Sequence, residues 1–187
     1  MRQPEYGTAR LRLLPAHPDL AAPVADYYLR NRSFLAPFEP VREEGFFTPE
    51  GQRALLAEEA AEAAAGRALR FYLERREAPG TVIGMAGLSG VVRGAFQSCF
   101  LSYKLDAAHL GRGYMTEAVV ELCRIAFGAL GLHRVEANIM PRNAASLAVA
   151  RRAGFRYEGL SPRYLRINGV WEDHVHMVRL AEDGEEA

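Results

Sequence analysis

HLGRGYMTEAVVELC, residues 109–123, sets two glycines around one arginine and opens at once onto an amphipathic stretch. A helix start carries unpaired N–H groups and the positive end of the helix dipole, and glycine lets an anion come close to that main chain. The stretch therefore reads as a turn into a helix whose amides seat a phosphate. Val119, Leu122, Cys123, Ala126, Phe127 and Leu130 then follow one helical face, with Glu117, Glu121 and Arg124 away from it, as expected of a helix lying on a sheet. Two common phosphate loops do not fit. The nucleotide-hydrolysing loop needs a lysine and a hydroxyl directly after its glycines, and GRGYMT lacks that lysine. The dinucleotide fold places its glycines after the first strand of a parallel unit, whereas the segments before this turn read as an antiparallel meander.

Working outward, Leu69, Phe71 and Leu73 alternate with Arg70, Tyr72 and Glu74, the period of a half-buried strand. Strands also fit residues 81–92 and 96–105, joined by a turn at Arg93-Gly94, and these three make the meander. Upstream, a strand is predicted over 10–14, a helix over 19–31, a loop over 34–50 and a helix over 49–65. Downstream, Val135, Ala137 and Ile139 alternate with Glu136 and Asn138 as a strand, and a short helix runs from Ala144 to Ala153 between Asn143 and Gly154. Residues 155–167 and 170–180 flank Asn168-Gly169, the strongest short hairpin signal. The order predicts an α/β fold, a mixed, mostly antiparallel central sheet with helices on both faces. No repeat or linker divides the chain, so residues 1–187 are expected to form one domain, with residues 182–187 a frayed acidic tail.

Lysine and arginine number 23 and aspartate and glutamate 23, so general electrostatic capture of nucleic acid or of a membrane is not expected. Neither a signal-like apolar run nor a stretch of membrane-spanning length is present, which places the chain in the cytosol. Cys99 and Cys123 lack zinc or disulfide spacing and are expected in the core, as is Trp171. His174 and His176 share a strand face, but no third ligand lies near them in sequence and no metal is expected. Charge is locally uneven: Glu39, Glu43, Glu44, Glu50, Glu58, Glu59 and Glu62 stand against only Arg42 and Arg53.

YYLRNRSFLAPFEPVRE (27–43), GVVRGAF (90–96), LGRGYMTEA (110–118), LHRVEANIMPRNAAS (132–146), RRAGFRYEG (151–159) and INGVWEDHV (167–175) occur in that order. Together they resemble the GNAT N-acetyltransferase superfamily, and within it the RimJ-type ribosomal-protein-alanine N-acetyltransferases. The resemblance covers the chain from Tyr27 onward. It implies the GNAT-like acyl-CoA N-acyltransferase fold and acetyl-CoA as cosubstrate, lying across a splayed strand at Tyr103, Lys104 and Leu105. Its pyrophosphate would rest on Leu110, Gly111, Arg112, Gly113, Tyr114, Met115 and Thr116. Two positions depart from the superfamily pattern: Leu110, often glutamine or arginine there, and Met115, often a small residue. Main-chain amides remain at both.

Asn143 is an ordinary helix cap, and its amide nitrogen can still reach the cofactor. Ser146 follows in the same helical turn, and by resemblance its hydroxyl would bond the departing thiolate. Glu136 is the candidate base, with a salt bridge to Arg134 on the same strand face as the competing reading. The chemical demand is mild: an α-amine has a pKa of about 7.7–8.0 against about 10.4 for lysine, so much of it is already neutral at cytosolic pH. The resemblance puts the acceptor against Asn31, Phe34, Glu43, Glu44, Asp173 and His174. The expected partner is the N-terminus of a ribosomal protein starting with alanine. A small-molecule amine and a cofactor-binding regulatory domain without turnover remain the alternatives.

Overall fold

A computed structural model describes residues 6–181 of the chain. The acidic end at 182–187, expected to fray, lies outside the described residues. Among the described residues eight strands form one sheet: β1 (Tyr6–Gly7), β2 (Leu11–Pro15), β3 (Leu69–Arg75), β4 (Ala78–Val92), β5 (Ser98–Leu105), β6 (Arg134–Ile139), β7 (Arg156–Ile167) and β8 (Val170–Leu180). Their order across the sheet is β1-β2-β3-β4-β5-β6-β8-β7. Every neighbouring pair is antiparallel except β5 and β6, which run parallel. The connection between those two strands contains α4 (Tyr114–Arg124), since parallel neighbours need a crossover.

α4 and α5 (Ala144–Arg152) close one face of the sheet. Val119, Leu122 and Cys123 of α4 are fully buried against Leu101, Val135 and Met177 of the strands. After Arg124 the helix widens into a π-turn over Ile125–Ala129, so the single α-helical face expected through Leu130 changes phase near its end. α1 (Ala21–Arg30) and α3 (Pro49–Ala64) cover only β3 and β4 on the opposite face, burying Val24, Tyr27 and Leu56 against Tyr72, Val82 and Met85. The rest of that face stays open, and Phe100 on β5 is 41% exposed.

α3 begins where Thr48 accepts from the Gly51 amide at 3.1 Å, with Pro49 in the first turn. α5 is capped by Asn143, whose Oδ1 accepts from the Ser146 amide at 3.1 Å, and it ends before Gly154 at φ +86°. Asn168 and Gly169 turn the β7–β8 hairpin with φ +49° and +81°. Three expectations change. The segment 34–50 is not an open loop: it follows a helical turn, α2 (Arg32–Leu35), with 3₁₀ turns at Ala36–Phe38 and Glu44–Phe47. β4 starts at Ala78, ahead of the strand read from 81. Trp171 is not a core residue: it lies near the hairpin tip and is 58% exposed, because a two-stranded tip leaves one face uncovered.

Leu122→Ala is expected to cost about 2–5 kcal/mol, because the site is fully buried and leaves a cavity. Trp171→Ala, at an exposed hairpin tip, should stay within about 0.5 kcal/mol. Urea midpoints of the two variants check the contrast.

Candidate active site

The loop between β5 and α4 is held from below by α1. Asp106 Oδ1 accepts from the Ala108 amide at 2.9 Å, and Arg30 Nε donates to its Oδ2 at 2.7 Å. Asn31 Oδ1 accepts from the Ala107 amide at 2.9 Å. Above this base, Gly111 and Gly113 adopt φ of +73° and +79°, the left-handed region that glycine enters without strain. Arg10 braces the outer side: its Nη1 donates to Arg112 O at 2.9 Å, its Nε to Glu117 Oε2 at 2.7 Å, and its guanidinium lies 4.6 Å from the Tyr114 ring centre. The first α4 bond is Glu117 N to Gly113 O at 3.1 Å, and no side chain caps the helix. Among the described residues the amides of Gly111 to Thr116 therefore have no hydrogen-bond acceptor. A Cβ placed on Gly111 would meet nothing within 4 Å. Free amides, open space and a helix dipole make a seat for an anion.

Beside this seat the sheet splits. β5 and β6 pair only at Ser98↔Arg134, Cys99↔Val135 and Phe100↔Glu136. Beyond them, Leu101–Leu105 and Ala137–Ile139 run on without pairing to each other. On the α4 and α5 face, Tyr103 Oη donates to Ser146 O at 2.7 Å and ties β5 to the start of α5. Burial pushes the Tyr103 phenol up to about 12, the bond to Ser146 offsetting only part of that, so it acts as a donor at neutral pH.

Glu136 stands on the other face at the fork. Arg134 Nη2 donates to its Oε2 at 2.8 Å, and His176 Nδ1 lies 2.8 Å from its Oε1. Burial raises its pKa, but the bonds from Arg134, His176 and Asn138 outweigh that and hold the carboxyl below its ordinary range. His176 Nε2 lies 2.7 Å from Ser161 Oγ, and Tyr164 packs edge-on against the imidazole with ring centres 5.0 Å apart. A hydrogen-bonded chain thus runs from the fork across β8 to the edge strand β7. An ionised carboxylate at its head can receive a proton and pass it outward.

Over this open face the β7–β8 tip meets the segment after α2. Asn168 Nδ2 donates to Ala36 O at 2.7 Å, and Arg142 Nη2 bonds Glu172 Oε1 at 2.6 Å and Pro37 O at 3.2 Å. Beside this bridge opens a pocket of about 190 Å³ lined by Tyr28, Leu35, Glu39, Phe46 and Phe47 among others.

Residues 10–156 match the family described as "Acetyltransferase (GNAT) domain". This chain belongs to the GNAT acetyltransferases. It is 40% identical over 156 residues to a probable N-acetyltransferase, YjcK, of Bacillus subtilis (strain 168), covering 83% of this chain and 86% of the relative. It is 39% identical over 171 residues to the ribosomal protein uS5-alanine N-acetyltransferase of Escherichia coli (strain K12), covering 90% of this chain and 86% of that one. The solved structure of Mycobacterium smegmatis RimJ in complex with CoA-disulfide superposes with a TM-score of 0.88 at 30% identity, over 95% of this chain and 85% of the other. The chain is therefore an acetyl-CoA-dependent acetyltransferase.

This acetyltransferase gathers some of the residues read from its sequence and disperses others. Tyr103, the 110–116 turn, Glu136, Asn143 and Ser146 converge on the split between β5 and β6. Tyr114 and Met115 are buried, so only their main chain faces the seat. The Lys104 ammonium pairs with Glu39 and lies 5.2 Å from the Tyr28 ring centre, leaving its backbone for other partners. Three acceptor assignments are corrected. Asn31 is 2% exposed, its Oδ1 bonded to the Ala107 amide and its Nδ2 to Tyr27 O, so it supports the loop and meets no acceptor. His174 is 3% exposed, packed under Tyr164 with Nδ1 at 3.0 Å from Glu172 O. Asp173 faces the opposite side of β8 from His174, as neighbours on a strand do, and accepts from the Arg163 amide at 2.8 Å where β7 shifts register. Phe34 and Glu43 are exposed, while Glu44 pairs with Arg32. His176 was visible in the sequence only as a metal candidate, and Ser161 and Tyr164 carried no signal, because strand pairing alone brings them to Glu136.

Glu136, Glu117 and Asp106 are all held below the ordinary carboxylate range: burial pushes each up, and the bonds from Arg134, Arg10 and Thr8, and Ala108 and Arg30 respectively bring it down further. A lowered native pKa contributes stability that is present above the unfolded value, about 4, and lost as pH falls through the native one. Thermal melting should accordingly drop in acid. Glu136→Gln should melt below the wild type at neutral pH, with the gap closing toward pH ~3; calorimetry across that range measures it.

Proposed function

We propose that this acetyltransferase acts in the cytoplasm on the N-terminal α-amine of a protein, with alanine-starting ribosomal proteins as the acceptor class. The observation that carries this reading is the bridge from Asn168 to Ala36 and from Arg142 to Pro37 and Glu172, which ties the β7–β8 tip to the segment after α2 beyond the end of β6. A roofed approach suits a chain end entering lengthwise more than a side chain in the middle of a folded surface. The 190 Å³ pocket beside the bridge offers room for residues that follow the first. The printed name of the 39%-identical Escherichia coli relative supports the same acceptor class.

The free amides of Gly111 to Thr116, the open space at Gly111 and the absence of a side-chain cap suit a pyrophosphate. These residues would hold acetyl-CoA there, with Tyr103–Leu105 along its arm and Asn143 Nδ2 as a further donor. Acetyl-CoA supplies an acetyl group activated as a thioester. Ser146 keeps its main chain in bonds to Asn143 and Tyr103, and its hydroxyl is the donor for the departing sulfur. Glu136 accepts the proton lost by the amine, directly or through water. A carboxylate with a lowered pKa is a weak base, but an amine of pKa about 7.7–8.0 asks for little more than orientation and a nearby acceptor.

Gly111→Ala should fold, since its Cβ meets no protein atom, at a cost of about 1–2 kcal/mol for a left-handed alanine. Its methyl fills the space over the amides, so acetyl-CoA affinity should drop at least tenfold by calorimetry. Glu136→Gln should lower kcat with little change in acetyl-CoA affinity. Unchanged affinity in the first variant and unchanged turnover in the second, when chemistry is rate-limiting, would remove both roles.

Mass spectrometry of protein N-termini after incubation with ribosomal proteins and acetyl-CoA tests the acceptor: an added acetyl on an alanine N-terminus is expected, and modification only of small amines would refute it. Among the described residues Glu43 has no ion-pair partner, whereas Glu44 is engaged by Arg32. Glu43→Lys should therefore lower kcat/KM for a basic protein acceptor and spare a short neutral alanine peptide, with the difference shrinking as salt rises.

A further inference from the structure

The register of β5 and β6 places two more residues at the split. Pairing ends at Phe100↔Glu136, and a ladder continued two residues further would set Ser102 against Asn138. Strand alternation puts both on the face that carries Glu136, one on each wall of the opening. Ser102 Oγ and Asn138 Oδ1 are both buried and have no hydrogen-bond partner among the described residues. The orientation of the Asn138 amide is fixed at its other end, where Nδ2 donates to Tyr164 Oη at 3.4 Å and to the Glu136 carboxylate. A buried unpartnered oxygen weakens a fold by about 1–3 kcal/mol, so two of them at matching positions of the diverging strands call for a reason.

We infer that Ser102 Oγ and Asn138 Oδ1 are the acceptors that hold the substrate amine, one from each wall of the split. An ammonium carries three N–H donors, and the face offers three acceptors: these two oxygens and the Glu136 carboxylate. Once Glu136 takes one proton, the two oxygens keep the remaining N–H groups and leave the lone pair free to attack. The surrounding charges agree with a cationic guest. Arg134 is paired with both Glu136 and Glu158, and the Lys104 ammonium, next along the same face of β5, is paired with Glu39. Neither cation repels an incoming ammonium unopposed. The inference rests on N-acetyl transfer and holds for a peptide or a small amine alike.

The test uses the full chain, with an alanine-starting peptide and spermidine as alternative acceptors, so that failure of the peptide reading is seen separately in the wild type. Ser102→Ala and Asn138→Ala should each lower kcat/KM for the acceptor that the wild type uses by about tenfold, through KM, and leave acetyl-CoA affinity within about twofold. Ser102→Ala should melt no lower than the wild type, because it removes an unsatisfied buried oxygen and no satisfied bond, whereas Asn138→Ala also loses the Nδ2 contacts with Tyr164 and Glu136 and is judged on acceptor KM and acetyl-CoA affinity alone. Ser102→Thr, which keeps the hydroxyl, should restore acceptor KM. A lower melting temperature in Ser102→Ala, unchanged acceptor KM in both alanine variants, or an equal loss of acetyl-CoA affinity would overturn the assignment.

Discussion

The architecture depends on a hydrogen-bond ladder that stops. β5 and β6 are joined at three positions and then part, although both strands continue. Interrupting a sheet in its middle is costly, since main-chain N–H and C=O groups need partners wherever water is excluded. The fold limits that cost by ties on both sides of the gap. Tyr103 reaches to the Ser146 carbonyl on one face, and the bridge between the β7–β8 tip and the Ala36–Phe38 turn closes over the other. Between those ties the facing edges of β5 and β6 stay unpaired with each other.

The same split brings remote pieces of sequence into one site. The turn at 110–116 follows β5, Glu136 stands on β6, and Asn143 and Ser146 open α5. All are therefore placed by the two strands that diverge. Positions on a sheet and at helix starts are held more rigidly than loop positions, and a reaction that asks mainly for orientation benefits from that. The electrostatics point the same way: the fork carboxylate is kept ionised by Arg134 and His176, while the phenol across the gap is kept protonated by burial.

Much of this was legible in the sequence because it depends on local rules. Glycine at the helix entry, asparagine at the α5 cap and Asn168-Gly169 at the hairpin each report backbone geometry directly, whereas the alternation along β3 marks a strand but not a half-buried one, since Tyr72 and Glu74 are buried as well as Phe71 and Leu73. The interaction of Arg134 with Glu136 was foreseeable from a spacing of two on one strand. What stayed hidden requires the register between strands distant in sequence. Nothing local joins His176 and Ser161 to Glu136, or sets Ser102 opposite Asn138. The misplaced residues failed for the same reason: the resemblance put Asn31 against the acceptor, yet tertiary packing turns its amide to Ala107 N and Tyr27 O at the base of the β5–α4 loop.

Arg10 couples the start of the second strand to a turn one hundred residues later. It grips Arg112 O and Glu117 while covering the Tyr114 ring, so order in the turn and attachment of the strand's leading end are thermodynamically linked. Linkage is reciprocal: a molecule that stiffens the turn by binding its amides also strengthens the hold on the N-terminal segment. Any ligand seated on those amides would thus also make β2 harder to peel from the sheet.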